Sequence, residues 1–176
     1  MQPCPALRWS ELAELTIETI ARTEQGGRAG RKGSHLVIQI PRISSPDSQF
    51  ESFWLECPDL VARGTGRDVY AIPGNQEKVL KVSNRQTNFS NWMEILVHSQ
   101  FKETGDLAEI FSWSWSGKFV VMERLTPLVD GDLDAYKFPD YLTDRKRANY
   151  GRDASGKIKA LDYALIAIDR PQSSFL

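Results

Sequence analysis

The chain has 176 residues, 41% of them hydrophobic, and a formal net charge of -1. That is enough apolar material for one domain, or one domain with an extension, and it excludes disorder over most of the length. The charge balance gives no global attraction to nucleic acid or anionic lipid, the two cysteines make no disulfide framework or metal spacing, and no long apolar run is present, so a soluble cytoplasmic protein with no membrane span is expected.

Ser10 can cap a helix running to about Glu24, with Leu12, Leu15, Ile17, Ile20 and Ala21 on its apolar side and Gly26-Gly27 as its stop. A basic linker, "GGRAGRKGS", leads to "HLVIQI", a predicted strand closed by Pro41. Ser48 and Glu51 have capping-box spacing ahead of Phe50, Phe53 and Trp54, which predicts a short amphipathic helix. From Asp59 the pattern changes to short β runs. "LVARGTGRDVYAI", a turn at "PGNQ" and "KVLKV" predict three antiparallel strands. "NFSNWMEILVHSQF" has helical spacing through Phe89, Met93, Leu96 and Val97. "LAEIFSW", a turn at Ser116-Gly117 and "KFVVMERL" add two strands. A polar and aromatic connection then leads to "LTDRKRANYGRDASGKIKALDYAL", which contains a further hairpin.

Singly, the polar residues along this path are ordinary. Gly64-Thr65-Gly66 is a turn, Lys81 an alternating strand lysine, Glu94 a solvated helix position, and Asp144, Asn149 and Asp162 turn residues. Their order and spacing make them informative together. "RGTGRDVY", "VLKV", "NWMEILVH", "FVVMERL", "DRKRAN" and "LDYA" follow one another as do the parts of the protein kinase superfamily, which residues 59 to 166 resemble.

That resemblance implies an α+β fold: a kinase N-lobe-like antiparallel sheet with one αC-like helix at residues 58–125, and a truncated C-lobe hairpin within 126–176. Residues 1–57 would form an N-terminal helix and strand extension. It implies ATP held by Gly64, Thr65 and Gly66, by Lys81 paired with Glu94, and by the hinge backbone at Met122, Glu123 and Leu125. It further implies Mg2+ on Asn149 and Asp162, Asp144 as the base accepting a hydroxyl proton, and Lys146 facing the transferred phosphate, as in serine/threonine kinases. Glycine lets a hairpin backbone approach phosphate, and carboxylate and amide oxygens suit magnesium. Arg145 and Arg147 read as surface charge.

The sequence also departs from the superfamily. Val69 stands where the glycine pattern continues, Leu142-Thr143 precede Asp144 in place of His-Arg, and Ala164 replaces the last glycine of the metal-binding tripeptide. The stretches between Glu123 and Asp144 and after Asp162 are short for a helical C-lobe. That compactness resembles reduced kinase-like domains of phages and mobile elements, and it implies support from the N-terminal extension or from a second chain, such as another copy of this one. Two functions follow: a minimal ATP-dependent kinase acting on a protein serine or threonine, or a kinase-like binding module that occupies or inhibits a protein partner. A β-rich nucleic-acid binder using Arg28, Arg31, Lys32 and Arg145 to Arg147 is a third class, and the near-neutral charge counts against it.

Overall fold

A computed structural model describes residues 38–85 and 89–165. The helix expected at 10–24, the basic linker and the first half of "HLVIQI" lie outside the described residues. The second half, Ile38 to Ile40, joins no strand. Ile38 and Ile40 instead pack against an apolar cluster built on Phe50 and Phe119, so their hydrophobicity serves side-chain burial without sheet pairing.

Helix α1 spans Asp47–Leu55 and forms without the expected capping box. Pro46 occupies the N-cap and offers no side-chain acceptor. Asp47, in the first turn, accepts the Ser116 backbone N–H at 3.0 Å and the Ser116 hydroxyl, while Glu51 pairs with Lys118 at 3.2 Å. The helix start is therefore fixed to the tip of a distant hairpin, and Ser48 and Glu51 make no reciprocal cap. Phe50 and Phe53 are buried, and the Phe50 ring stacks on Phe119 at 5.9 Å. Each such burial stabilises the fold by about 1.5–3 kcal/mol.

The main sheet contains β1 (Leu60–Arg63), β2 (Arg67–Ile72), β3 (Asn75–Ser83), β4 (Ile110–Trp113) and β5 (Phe119–Glu123). Its order is β1-β2-β3-β5-β4 with every pair antiparallel, and helix α2 (Phe89–Phe101) connects β3 to β4. The central strands are nearly continuous apolar runs because both faces are covered. The two-residue alternation of a strand divides them. Leu80, Val82, Phe119 and Val121 pack with α1, whereas Val79, Val120 and Met122 pack with Ile95 and Val97 of α2. Lys81 belongs to the second face.

Helix α2 has its expected extent, but its buried face differs from the one read from Phe89, Met93, Leu96 and Val97. Phe89 and Leu96 are exposed, and Asn91, Glu94, Ile95, Val97 and His98 face inward. The polar members have tertiary partners, although the buried Asn91 Oδ1 accepts no hydrogen bond. Asn91 donates to the Gly117 and Lys118 carbonyls, Glu94 meets Lys81, and His98 Nε2 accepts the Ile110 N–H.

A second sheet of β6 (Thr126–Pro127), β7 (Tyr150–Arg152) and β8 (Ile158–Ala160) contains the expected hairpin. Asp153 shapes its turn by accepting the N–H groups of Ser155 and Lys157, each at 2.9 Å, and Gly156 takes φ 87° at the tip. The connection from Glu123 to Asp144 contains β6 and turns, with no α-helix. The fold is thus α+β with antiparallel sheets, as the sequence predicts. Among the described residues, no helix is long and apolar enough to cross a membrane.

Candidate functional site

The turn between β1 and β2 is held from the far end of β3. Gly64 N–H donates to the Arg67 carbonyl at 2.7 Å, Asn84 N–H to the Gly66 carbonyl at 3.1 Å, and Arg85 Nε–H to the Thr65 carbonyl at 3.4 Å. A Cβ on Gly66 would come within 3.3 Å of Arg85 Nε, so glycine lets the arginine lie against the turn. This turn roofs a cleft of about 810 Å³, a volume suited to a small-molecule ligand. Gly64, Thr65, Gly66, Lys81, Asp144 and Asp162, drawn from segments far apart in sequence, all line it.

Lys81 is held at the back of the cleft. Strand β3 turns it toward α2, where its ammonium donates to Glu94 Oε1 and Oε2 at 3.1 Å each and to the Leu161 carbonyl at 2.5 Å. Lys81 is 5% exposed and Glu94 fully buried. Burial pushes the Lys81 ammonium below its usual range against the pull of Glu94. Taking this pair out of water costs several kcal/mol per ion, a cost that favours neutral residues unless the charges have a task.

Arg67 is the site residue that the sequence pattern does not reveal. As the first residue of β2 it lines the same cleft, placing Nη1 2.7 Å from Glu94 Oε2 and Nη2 2.8 Å from Asp162 Oδ1. The signal lies in register. Val69 faces Lys81 directly across the β2–β3 pair, and Arg67, two residues from Val69, projects from the same face. Burial opposes the Arg67 charge, but Glu94 and Asp162 outweigh it and raise its pKa further. Burial also pushes Asp162 up, and Arg67 and then Lys81 overcome that to hold the carboxylate below its usual range.

The remaining expected residues do not line the cleft. Lys146 pairs with Asp144 Oδ2 at 3.2 Å and is itself exposed, which places it beside the expected base. Asn149 contributes its backbone carbonyl, which accepts the Leu161 N–H at 2.8 Å. Met122 is buried in the sheet, Glu123 pairs with Lys159 at 3.0 Å, and Leu125 packs over Gly151. Arg145 and Arg147, read as plain surface charge, both have partners. The Arg145 guanidinium lies 5.3 Å from the Phe138 ring centre, and Arg147 pairs with Asp130.

The donor set does not fit a divalent cation in this arrangement. Asp162 already carries the Arg67 guanidinium, Asn149 is outside the cleft wall, and no group of three or more His, Cys, Asp or Glu among the described residues is placed to hold a metal.

No family model and no curated protein matches the sequence. Among solved structures, a pseudokinase in its apo form is similar at 11% identity and TM-score 0.44, covering 78% of this chain and 64% of its own. WbdD, co-crystallised with the kinase inhibitor LY294002, is similar at 13% identity and TM-score 0.40, over 60% of this chain and 32% of its own. A second structure of WbdD, described as a bifunctional kinase-methyltransferase, is similar at 14% identity and TM-score 0.38, over 60% and 31%. This chain spans about a third of the length of WbdD and under two thirds of the pseudokinase. At these scores the site is interpreted from its own geometry: the strand order, the helix between β3 and β4, and the Lys81–Glu94 pair.

Proposed function

We propose that this is an ATP-binding, kinase-like domain whose cleft seats the triphosphate beneath the Gly64–Gly66 turn, with transfer of the terminal phosphoryl group to a protein serine or threonine as its activity. The observation that carries the reading is the buried Lys81–Glu94 pair at a cleft of about 810 Å³ that Asp144 also lines. Backbone N–H groups of a glycine turn suit phosphate oxygens. In this reading Asp144, which lines the cleft, takes the proton of an acceptor hydroxyl as its oxygen attacks the terminal phosphorus and ADP departs. Lys146 lies against Asp144, its ammonium 3.2 Å from Oδ2, beside the acceptor position.

The Arg67–Asp162 contact favours a second reading, in which the domain binds ATP and acts by engaging a protein partner without turnover. Transfer of labelled phosphate from ATP to the chain itself and to a cell extract separates the two. Transfer that is lost in Asp144→Ala supports the kinase reading. Absence of transfer together with an ATP-dependent rise in melting temperature, itself lost in Lys81→Ala, supports the binding module. No response to ATP in either assay overturns both.

A further inference from the structure

We propose that Arg67 is the phosphate-binding cation of this cleft and stands where a divalent metal would otherwise be needed, so that ATP binds as well without Mg2+ as with it. The inference rests on the cleft being a nucleotide site.

Donor inventory is the first argument. An ammonium has three N–H bonds. Lys81 already has three acceptors at its Nζ: both Glu94 oxygens and the Leu161 carbonyl. It therefore contributes charge at the back of the cleft but has no donor left for a phosphate oxygen unless one of those bonds breaks. A guanidinium has five N–H donors in a planar fork. Arg67 is in contact with one oxygen of Glu94 and one of Asp162, so the same group can keep both carboxylates and still offer N–H bonds to phosphate in the cleft it lines.

Charge placement is the second. Glu94 is matched by Lys81 and Arg67, and Asp162 by Arg67. A divalent ion on Asp162 would have to displace the guanidinium, leaving a permanently charged, 12% exposed side chain next to a doubly charged ion. The low exposure of Arg67 gives it little room to retreat into solvent.

ATP binding to the full chain, measured by isothermal titration in EDTA and again in Mg2+, tests this. The dissociation constants should agree within about twofold. Arg67→Gln should weaken binding in EDTA by about tenfold or more. Asp162→Asn supplies an independent arm should Arg67→Gln lose its folded circular-dichroism signal. With Arg67 as the phosphate ligand, removing the Asp162 charge leaves binding unchanged or tighter in both buffers. Wild-type binding that requires Mg2+, or that Asp162→Asn abolishes in Mg2+, overturns the inference and leaves the nucleotide site standing. Absence of ATP binding in both buffers overturns the inference and the nucleotide reading together.

Discussion

The Tyr163 hydroxyl donates a 2.9 Å hydrogen bond to the Ala108 carbonyl, tying the residue after Asp162 to the loop that follows helix α2. Around it, Ala108 N–H donates to the Ala160 carbonyl and Ala160 N–H to the Asp106 carbonyl, each at 2.8 Å. The Asp162 segment is thus fixed by the main-sheet half of the fold. Tyr136, Phe138 and Tyr150 pack edge-on against one another in the apolar cluster that also holds Tyr163, and Phe101 stacks on Tyr141 at 4.2 Å.

Tyr163 should therefore show two separable costs. Tyr163→Phe removes the donor and should cost about 1 kcal/mol, whereas Tyr163→Ala opens a cavity and should cost about 3–5 kcal/mol in denaturant unfolding. Equal costs for the two would show that ring packing contributes nothing beyond the hydrogen bond.

Gly151 and Gly156 should respond oppositely to what their conformations alone suggest. Gly156 has φ 87° with open space around it, so alanine there meets only backbone strain of about 1–2 kcal/mol. Gly151 does not have a positive φ, yet a Cβ would lie 2.5 Å from Leu125 Cβ and 2.9 Å from the Thr126 carbonyl. Gly151→Ala should cost about 1–3 kcal/mol or more and separate β7 from β6. Amide exchange at Arg152, across from Thr126, is the local readout.

The Lys81–Glu94 pair should be asymmetric under substitution. Lys81→Met leaves Glu94 with Arg67 at 2.7 Å, whereas Glu94→Gln leaves the buried Lys81 ammonium facing a neutral amide and Arg67 with Asp162 alone. Glu94→Gln should cost about 3–5 kcal/mol and Lys81→Met about half of that or less. The reverse order in thermal and denaturant unfolding would mean that Arg67 does not balance Glu94.

The order of elements along the chain was legible because Val79, Leu80 and Val82 of β3 and Phe119 to Met122 of β5 are apolar and the turns carry glycine. The inward face of α2 was not, because its buried members include Asn91, Glu94 and His98, whose partners lie on other elements. Apolar spacing ranks such residues as solvent-facing, and only tertiary hydrogen bonds reverse that. Arg67 was hidden for the same reason: an arginine after a glycine turn looks solvated until Asp162, far along the chain, is brought beside it. Lys81, Glu94, Asp144 and Asp162 were legible as a set because their order along the chain, more than any local pattern, marks them.

Acid should destabilise the domain through Asp153 in the β7–β8 turn and Asp162 just after β8. Hydrogen bonding from Ser155, followed by Lys159, holds Asp153 far below the usual carboxylate range. Burial pushes Asp162 up, but Arg67 and then Lys81 hold it below that range. A folded-state pKa lower than the unfolded one contributes stability that is complete above the unfolded value, about 3.9, and is lost as pH falls through the folded value. Melting temperature should therefore hold from neutrality to about pH 5 and fall progressively below about pH 4. Asp153→Asn should start from a lower melting temperature and decline less steeply with acid, since the hairpin turn no longer has that proton to take up. A variant whose acid decline is as steep as the wild type would place the acid sensitivity outside the β7–β8 turn.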